Sequence, residues 1–387
     1  MRTRATAMAA ALIFGAITAG AETIDDIVSL IELNNLSLRE SASTMAADID
    51  DLKSENRPGA TSIEFNPFFN RGGISSSEFI VKQDFDFPTA YSARSSAGRA
   101  KREEMKISAD EIRRQTALEA RNKCLELCMT REANALLDRR IALNEMLQEA
   151  SEEKLKLNES TGIERNMTLL DAMELKAERA GNLATIARIE RELTAMNGGL
   201  PLPLDKLELP KGIMTSPDEG TLNSLVDGSS QVRSAEASAA ASEKDVAVAK
   251  NSWAPGLSLG YRMETEGKSA AHGMMIGIGF DLFTASDKVK AARNRETAAR
   301  LKVENSRIAE RAEQESLIAE MEATRSLMEA YDINLLDKTQ EMLDTAFKDG
   351  SMTVEDYCEG TDKILSQKSE YSSLRYRLMT LSANLYK

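Results

Sequence analysis

The sequence predicts a mainly α-helical chain with a smaller β component, built from an internally duplicated helix–β-hairpin–long-helix–helix unit. Two strand-like runs, Phe79–Thr89 and Met274–Thr284, lie 195 residues apart, which is half of the 387-residue chain. Each run leads into a long polar stretch without proline, as expected for a very long helix. A self-match at one fixed spacing indicates that a single structural unit has been doubled.

The amino terminus has the three parts of a secretory signal peptide, which we assign to residues 1–21. Arg2 and Arg4 supply the positive start, an apolar run too short to span a bilayer follows, and a small-residue cleavage site ends at Ala21. We therefore expect the mature chain to leave the cytoplasm. The alternative is that the apolar run stays in place as an uncleaved anchor.

The composition argues against several classes of function. Acidic residues outnumber basic residues by 62 to 49, which gives a net charge of −13 and argues against nucleic acid as a partner. One histidine and three cysteines offer little material for a metal cluster or for histidine-based catalysis. The sequence has no nucleophile elbow and no phosphate-binding loop. We therefore expect no enzyme activity, no metal and no cofactor.

The first predicted repeat covers residues 22–197. Its opening helix ends at Pro58 and Gly59, which interrupt the helical pattern. Thr168 and Asp171 are expected to open its last helix, which returns along the long one. After the opening helix, its elements are a β-hairpin at 61–88 with a Gly- and Ser-rich turn at 71–77, a long helix at 89–160 and the return helix at 167–197.

A proline-containing connector, residues 198–220, joins this unit to the second predicted repeat at 221–387. Thr353 and Asp356 correspond to Thr168 and Asp171 of the first repeat. After its opening helix, the second repeat has a β-hairpin at 256–283 with a polar loop at 264–272, a long helix at 286–348 and a return helix at 353–386.

The second strand of the first hairpin alternates apolar and charged side chains. Phe79, Val81, Phe85 and Phe87 fall on one face, and Glu78, Lys82, Asp84 and Asp86 fall on the other. This period of two is typical of a membrane barrel with a wet lumen, and a soluble hydrophobic core is the alternative. Four strands of about ten residues cannot close a barrel. The pattern therefore predicts that several chains share one barrel, with a dimer or a trimer as the smallest solution.

The order of these elements resembles the TolC-like outer membrane efflux protein family over nearly the whole mature chain. The segments that carry the resemblance are Asn34–Leu38 in the first helix, Trp253–Leu259 at a helix-to-strand junction, and Phe347–Asp356 at a helical turn. No single segment is diagnostic. Their order, the duplication and the signal peptide together indicate the family.

The resemblance implies a homotrimer with a 12-stranded outer-membrane β-barrel on a periplasmic α-helical barrel. The chain would lie in outer-membrane lipid and extend into the periplasm. It would be the passive channel-tunnel component of a tripartite efflux pump or a type I secretion system. Its expected partners are a periplasmic adaptor, also called a membrane fusion protein, and an inner-membrane transporter that supplies the energy.

The resemblance also implies roles for particular residues. The turns that contact the adaptor, at the periplasmic end of the helical tunnel, would contain Gly162, Gly350, Ser351, Met352 and Thr353. The alternative is that these glycines only end helices. Acids that ring the closed aperture would be Asp356 and Glu359, with Asp171 and Glu174 as their counterparts in the first repeat; solvated surface acids are the alternative. The residues expected to face lipid or its interface are Phe79, Val81, Phe85, Phe87, Tyr261, Ile278 and Phe280.

Two other functions fit parts of the pattern. A periplasmic adaptor also has a long helical hairpin, but we expect one such hairpin inserted in a small β-domain, whereas this sequence predicts two hairpins and two strand pairs. A coiled-coil structural protein of the cell envelope would account for the helices and leave the strands incidental. The exported substrate is not encoded in any motif of the chain.

Overall fold

The computed structural model describes residues 23–157, 162–210, 217–267, 269–280 and 284–386. The predicted signal peptide lies outside the described residues, as do the ends of the predicted long helix 89–160 and hairpin 256–283 and part of the connector. The elements, in chain order, are α1 (Ile24–Asn34), α2 (Leu36–Glu55), β1 (Thr61–Asn70), β2 (Gly73–Phe85), α3 (Pro88–Lys156), α4 (Gly162–Met196), α5 (Glu219–Gly228), α6 (Ser230–Lys250), a 3₁₀ turn (Asn251–Trp253), β3 (Gly256–Glu266), β4 (Ser269–Gly279), α7 (Ala285–Glu329), α8 (Ile333–Lys348) and α9 (Val354–Leu385).

The described chain divides into two compact units, and each unit takes segments from both predicted repeats. The first unit contains residues 23–34, 120–157, 162–210 and 333–376. The second unit contains residues 35–119, 217–267, 269–280, 284–332 and 377–386. The order of elements nevertheless recurs along the chain, because β1 begins at Thr61 and β3 begins at Gly256, 195 residues later.

The four strands form one antiparallel sheet in the second unit, in the order β1-β2-β3-β4. The register aligns side chains in rows across the sheet, and in one row Val81 pairs with Ile63 on one side and with Tyr261 on the other. In the neighbouring row Ile80 pairs with Glu64 and Arg262. Because successive residues of a strand point to opposite faces, these two rows lie on opposite faces.

The strands extend closer to the hairpin turns than the sequence predicts. The predicted turn 71–77 is mostly strand, since β2 begins at Gly73, and the predicted loop 264–272 contains the ends of β3 and β4. The prediction was wrong because it treated Ser and Glu as loop formers. An antiparallel ladder is made by backbone groups, so polar side chains are compatible with it on a face that does not pack in a core.

Three predicted single helices are interrupted. The opening helix of each repeat is divided in two, once at Asn35 and once at Ser229. In both cases the side-chain oxygen accepts a hydrogen bond from the backbone N–H three residues on, as an N-cap does. The predicted helix 286–348 breaks between α7 and α8, where Tyr331 N–H donates to Met328 O at 3.0 Å. This short-range bond ends α7 without the proline or glycine that a sequence pattern would reveal.

The predicted start of the first return helix, residue 167, was also wrong. Helix α4 already begins at Gly162, and Thr168 lies inside it. The Thr168 hydroxyl donates to Arg165 O at 2.9 Å, so it bonds within the helix and does not cap it. Gly162 is therefore the first residue of the return helix.

The turn between α8 and α9 closes both helix ends with local hydrogen bonds. Gly350 has φ +71°, its N–H donates to Phe347 O, and Ser351 N–H donates to Ala346 O, which is the Schellman arrangement. Two residues later, Thr353 and Asp356 bond reciprocally: the Thr353 hydroxyl donates to Asp356 Oδ2 at 2.7 Å and accepts from Asp356 N–H at 3.2 Å. This pair begins α9.

In the first unit, two arginines hold the connector against the helices. Arg131 of α3 donates to Leu204 O at 2.6 Å and to Glu190 of α4 at 2.7 Å. Arg375 of α9 donates to Pro210 O at 2.7 Å. Leu204 is buried, as are Leu207 and Leu209. A segment without regular secondary structure is thereby held by charge-assisted bonds and a small apolar core.

We predict that Gly350→Ala loosens the α8–α9 turn whereas Gly162→Ala does not. A new Cβ would have no neighbour within 4 Å at either position, so steric contact is matched. Only Gly350 has a left-handed backbone, which costs alanine about 1–2 kcal/mol. Amide hydrogen exchange in residues 345–357 should therefore be roughly 5- to 30-fold faster in Gly350→Ala. Unchanged exchange in that variant would contradict the role given to the glycine.

Candidate functional site

The sheet of the second unit has one polar face that carries all of its charge. Every Asp, Glu, Lys and Arg within the four strands occupies an even-numbered position, and the register places these positions on the same face. The charged residues of this face are Glu64, Glu78, Lys82, Asp84, Arg262, Glu264 and Glu266. With five acids against two bases, the polar face is net negative.

The opposite face of the sheet is apolar and uncovered. Met274 is 84% exposed, Ile276 is 75% exposed and Phe65 is 59% exposed. Other large side chains on this face are Ile63, Phe79, Val81, Phe85, Leu257, Leu259, Tyr261, Met263 and Ile278. Soluble monomers rarely expose apolar patches of this extent, so the face requires a partner or a non-aqueous surrounding.

Of the residues predicted to face lipid, five share the apolar face: Phe79, Val81, Phe85, Tyr261 and Ile278. Phe87 and Phe280 lie just beyond the strands, since β2 ends at Phe85 and β4 ends at Gly279. Both are exposed. The sequence prediction missed Met274 and Ile276, although the alternation Met274, Ile276, Ile278 in β4 was the signal that could have found them.

Ion pairs organise the polar face. Glu78 and Glu264 are direct cross-strand partners, which alone would be unfavourable. Arg262 lies beside both, 2.5 Å from Glu78 and 3.6 Å from Glu264. Lys82 pairs with Asp84 at 3.1 Å. The two bases are therefore engaged with acids of the same face, and acids remain in excess on β1 and β3.

The first unit contains a cavity of about 480 Å³ lined by acids. Three of the four predicted aperture acids, Asp171, Glu174 and Glu359, line it. The fourth, Asp356, instead caps α9 through Thr353. The sequence prediction missed the other charged lining residues, which are Arg140, Glu178, Glu355 and Asp362. Their spacing was a usable signal, because residues three, four or seven apart share one helix face.

Helix α9 is linked to α3 around this cavity. Arg140 donates to both carboxylate oxygens of Asp362, at 2.7 and 3.3 Å, and this bond raises the pKa of Arg140. Lys154 lies 2.7 Å from Glu355, and its hydrogen bond lowers the pKa of that carboxyl. The Cys358 thiol is buried and donates to Leu143 O, and burial raises its pKa to about 11, so it packs as a small apolar side chain.

The predicted tip residues Ser351, Met352 and Thr353 lie in the α8–α9 turn, beside a rigid aromatic pair. Phe347 and Tyr357 stack with ring centroids 4.4 Å apart, and the Tyr357 hydroxyl donates to Asp344 at 2.9 Å. Burial, followed by this bond to an acid, raises the pKa of Tyr357. The Ser351 hydroxyl donates to Ala346 O at 3.0 Å. Contacts from the end of α8 and from the start of α9 therefore fix the conformation of the turn.

Within the described ranges, no group of histidine, cysteine or carboxylate side chains could hold a metal ion. Of the helices in the described part of the chain, none has both the length and the apolar character that crossing a membrane requires.

No protein-family model matches the sequence, and no curated protein matches it. Solved structures match the fold along nearly the whole chain. A membrane protein from Pseudomonas aeruginosa is 14% identical, with a TM-score of 0.76 over 95% of this chain and 90% of its own. The outer membrane protein VceC from Vibrio cholerae is 14% identical, with a TM-score of 0.74 over 94% of each chain. The outer membrane channel CmeC of Campylobacter jejuni is 12% identical, with a TM-score of 0.74 over 94% of this chain and 84% of its own.

At this identity the likeness establishes the fold: the chain has the fold of outer-membrane channel proteins. The resemblance to the TolC-like family that the sequence segments indicated is thereby confirmed at the level of fold. The predicted fold class, mainly α with β, is confirmed in the same way, by long helices with one small antiparallel sheet.

We predict that the first turn of α9 loosens in acid. The pKa of Glu355 is lowered in the folded chain, so its link to Lys154 is complete at neutral pH and is lost as the pH falls through that lowered pKa. Both side chains are partly exposed, at 45% and 40%, so water screens the link and it contributes less than about 1 kcal/mol. Amide exchange of residues 355–358, corrected for intrinsic rates, should increase at low pH. Lys154→Met should show the faster exchange already at pH 7, and equal protection in both proteins would contradict the link.

Proposed function

We propose that this chain is the outer-membrane channel-tunnel component of a tripartite efflux pump or a type I secretion system. It acts as a passive export conduit, without catalysis and without a cofactor. After cleavage of the signal peptide near Ala21, it lies in the outer membrane and extends into the periplasm. The observation that carries the proposal is the two-faced sheet, which is charged on one face and exposed and apolar on the other.

A membrane explains both faces of the sheet at once. Side chains such as those of Met274 and Ile276 are apolar and form no hydrogen bonds with water that entry into lipid would break. The charged residues on the opposite face need contact with water. Strands of 10 to 13 residues have the length that tilted barrel strands need to cross the hydrocarbon region. The polar face then lines a water-filled passage.

The open edges of the sheet favour an oligomer. In the described chain β1 and β4 each have a partner on one side only, and unpaired strand edges are not tolerated in lipid. Three copies would supply 12 strands and join each β1 to the β4 of a neighbour, which closes the barrel. A homotrimer is therefore part of the proposal.

We infer that the α8–α9 turn contacts a periplasmic adaptor, which connects the conduit to an inner-membrane transporter. The turn is preorganised by the Schellman bonds, the Thr353–Asp356 pair and the Tyr357 stack, and a rigid surface loses little entropy on binding. The start of α4, at Gly162, would supply the second contact. The acids Asp171, Glu174 and Glu359 would border the aperture, and Asp356 would act there as a helix cap.

A periplasmic adaptor and a coiled-coil structural protein remain as alternatives, but neither is favoured. A structural coiled coil would not require a sheet whose seven charged residues all lie on one face. In an adaptor the sheet would be in water, where the exposed apolar face would favour aggregation.

The function is tested by placing the same charge on either face of one strand. Val81→Lys puts an ammonium group on the apolar face and should prevent recovery of a trimer from the outer membrane, because a lysine in the lipid-facing region destabilises a barrel by about 2–4 kcal/mol near the middle of the membrane. Ile80→Lys, on the net negative polar face opposite Glu64 and Arg262, is the matched control and should assemble normally. The measurement is heat-modifiable gel migration of outer-membrane fractions. Equal assembly of both variants would contradict the assigned faces.

The charge of the polar face also predicts a preference for cations. In planar bilayers with a salt gradient, the reversal potential of the purified protein should indicate cation selectivity. Replacing Glu264 and Glu266 with Gln should weaken this preference, and Arg262→Gln should strengthen it. A reversal potential that none of these changes shifts would show that the polar face does not line the passage.

A further inference from the structure

The sheet of the second unit contains an internal seam, where the hairpin of the first repeat joins the hairpin of the second. At this seam β2 pairs with β3, and Val81 lies opposite Tyr261. Next to the paired strands, Lys101 of α3 and Asp245 of α6 form an ion pair at 3.2 Å, so the helices that adjoin β2 and β3 meet at the same seam. The chain therefore shows one complete joint between two copies of its structural unit.

The duplication identifies equivalent residues on the outer strands. The spacing that relates β2 to β4 makes Ile276 the equivalent of Val81. Phe65 of β1 lies opposite the residue two positions before Val81. Tyr261 of β3 lies opposite the residue two positions before Ile276. Because the two hairpins have the same register, Phe65 is the equivalent of Tyr261.

We propose that the seam between neighbouring copies of this chain repeats the internal seam. The pair Val81–Tyr261 within one chain then has the equivalent pair Ile276 of one copy and Phe65 of the next. In an antiparallel ladder, the neighbouring pair on the same face is Ile278 with Ile63. The inference rests on the homotrimer proposed above, and it adds the register in which β4 of one copy pairs with β1 of another.

The faces of the sheet provide an independent check on this register. Ile276 and Phe65 both lie on the apolar face, as do Ile278 and Ile63. A shift by one residue would place Ile276 opposite Glu64 or its like-facing neighbour, which belong to the polar face. The register derived from the duplication therefore continues both faces of the sheet unbroken across the joint between copies.

The helices beside the two open edges carry opposite charge. Residues 44–55, at the end of α2 and before β1, contain four acids and one base, whereas residues 285–302, at the start of α7 and after β4, contain six bases and two acids. The acids of α2 are Asp48, Asp50, Asp51 and Glu55, and the bases of α7 are Lys288, Lys290, Arg293, Arg295, Arg300 and Lys302. Pairing β4 with the β1 of a neighbour brings these complementary segments together.

Exposed apolar side chains fit the same contact between helices. Leu301 and Ile308 of α7 are 61% and 65% exposed, and Leu301 lies two and a half turns after the buried Ala292, so it points to the opposite side of the helix. Leu36 of α2 is 62% exposed. Equal numbers of residues separate α2 from β1 and β4 from α7. In antiparallel helices Leu36 is therefore level with the stretch between Leu301 and Ile308.

The register is tested by disulfide formation between copies in outer-membrane fractions. Phe65→Cys combined with Ile276→Cys places two thiols opposite each other, so mild oxidation should convert most of the protein to covalent dimers and trimers on a heated, non-reducing gel. The bond cannot form within one chain, because β1 and β4 are three strand spacings apart, about 14 Å, and a disulfide needs Cα atoms within about 7 Å.

The matched control combines Phe65→Cys with Ile278→Cys, which moves one thiol two residues along β4 on the same face and should leave most of the protein monomeric. The native cysteines are buried, and the wild-type protein gives the background. Equal or stronger cross-linking of the control, or none of either pair while unheated samples contain the trimer, would refute the seam and leave the proposed function intact. A wild-type protein without any trimer would refute both.

A second measurement tests the contact between α2 and α7. Asp50→Lys should lower the temperature at which the trimer dissociates on a gel, because it places a base beside the basic start of α7. Lys290→Asp should have the same effect for the reverse reason. The two substitutions together should restore the dissociation temperature. Losses that simply add in the double variant would show that these helices do not meet across the seam.

Discussion

The structure depends on one constraint: because successive residues of a strand point to opposite faces, charged and apolar side chains lie on different faces of the sheet. All charged residues of β1 to β4 fall on even-numbered positions, so a sheet with a one-residue slip would place charge among the apolar side chains. The register is therefore specified strongly even though the sheet covers no core. The same sorting leaves the isolated chain incomplete, because it has an uncovered apolar face and two unpaired edges. Membrane insertion and oligomerisation both follow from that incompleteness in our proposal.

The first unit is held together differently. Its helices bury large apolar residues such as Ile31, Leu127 and Leu193 completely, and charged pairs between helices add to these contacts. Arg140 with Asp362 and Lys154 with Glu355 join α3 to α9, and Arg131 holds the connector. Partly exposed ion pairs contribute little stability each, but they specify which helix faces which. Near the Arg140 and Lys154 pairs, Leu143, Cys358 and Leu365 form an apolar cluster.

The sequence predicted the elements whose signals are local and periodic. The alternation around Phe79 and Val81 identified β2, and the absence of proline after Pro88 identified α3. It did not predict the helix breaks at Asn35 and Tyr331, because a residue that ends one helix by capping or by a short-range bond does not disturb the helical composition around it. The acids around the cavity were predicted in part. Glu359 was found by its position after the turn, whereas Arg140 was missed because its pairing with Asp362 joins positions far apart in the sequence.

The path of the α8–α9 turn is set by main-chain bonds, by one glycine and by the side chains of Ser351, Thr353 and Asp356, whereas the Met352 side chain takes no part in these hydrogen bonds. Residues such as Met352 can therefore be exchanged without altering the path of the chain. A lineage of such proteins could acquire a new binding specificity at this end through point substitutions alone, while the scaffold that presents them stays the same. This separation of shape from surface chemistry is one way for a fold to persist when only about one residue in seven is still shared with its structural neighbours.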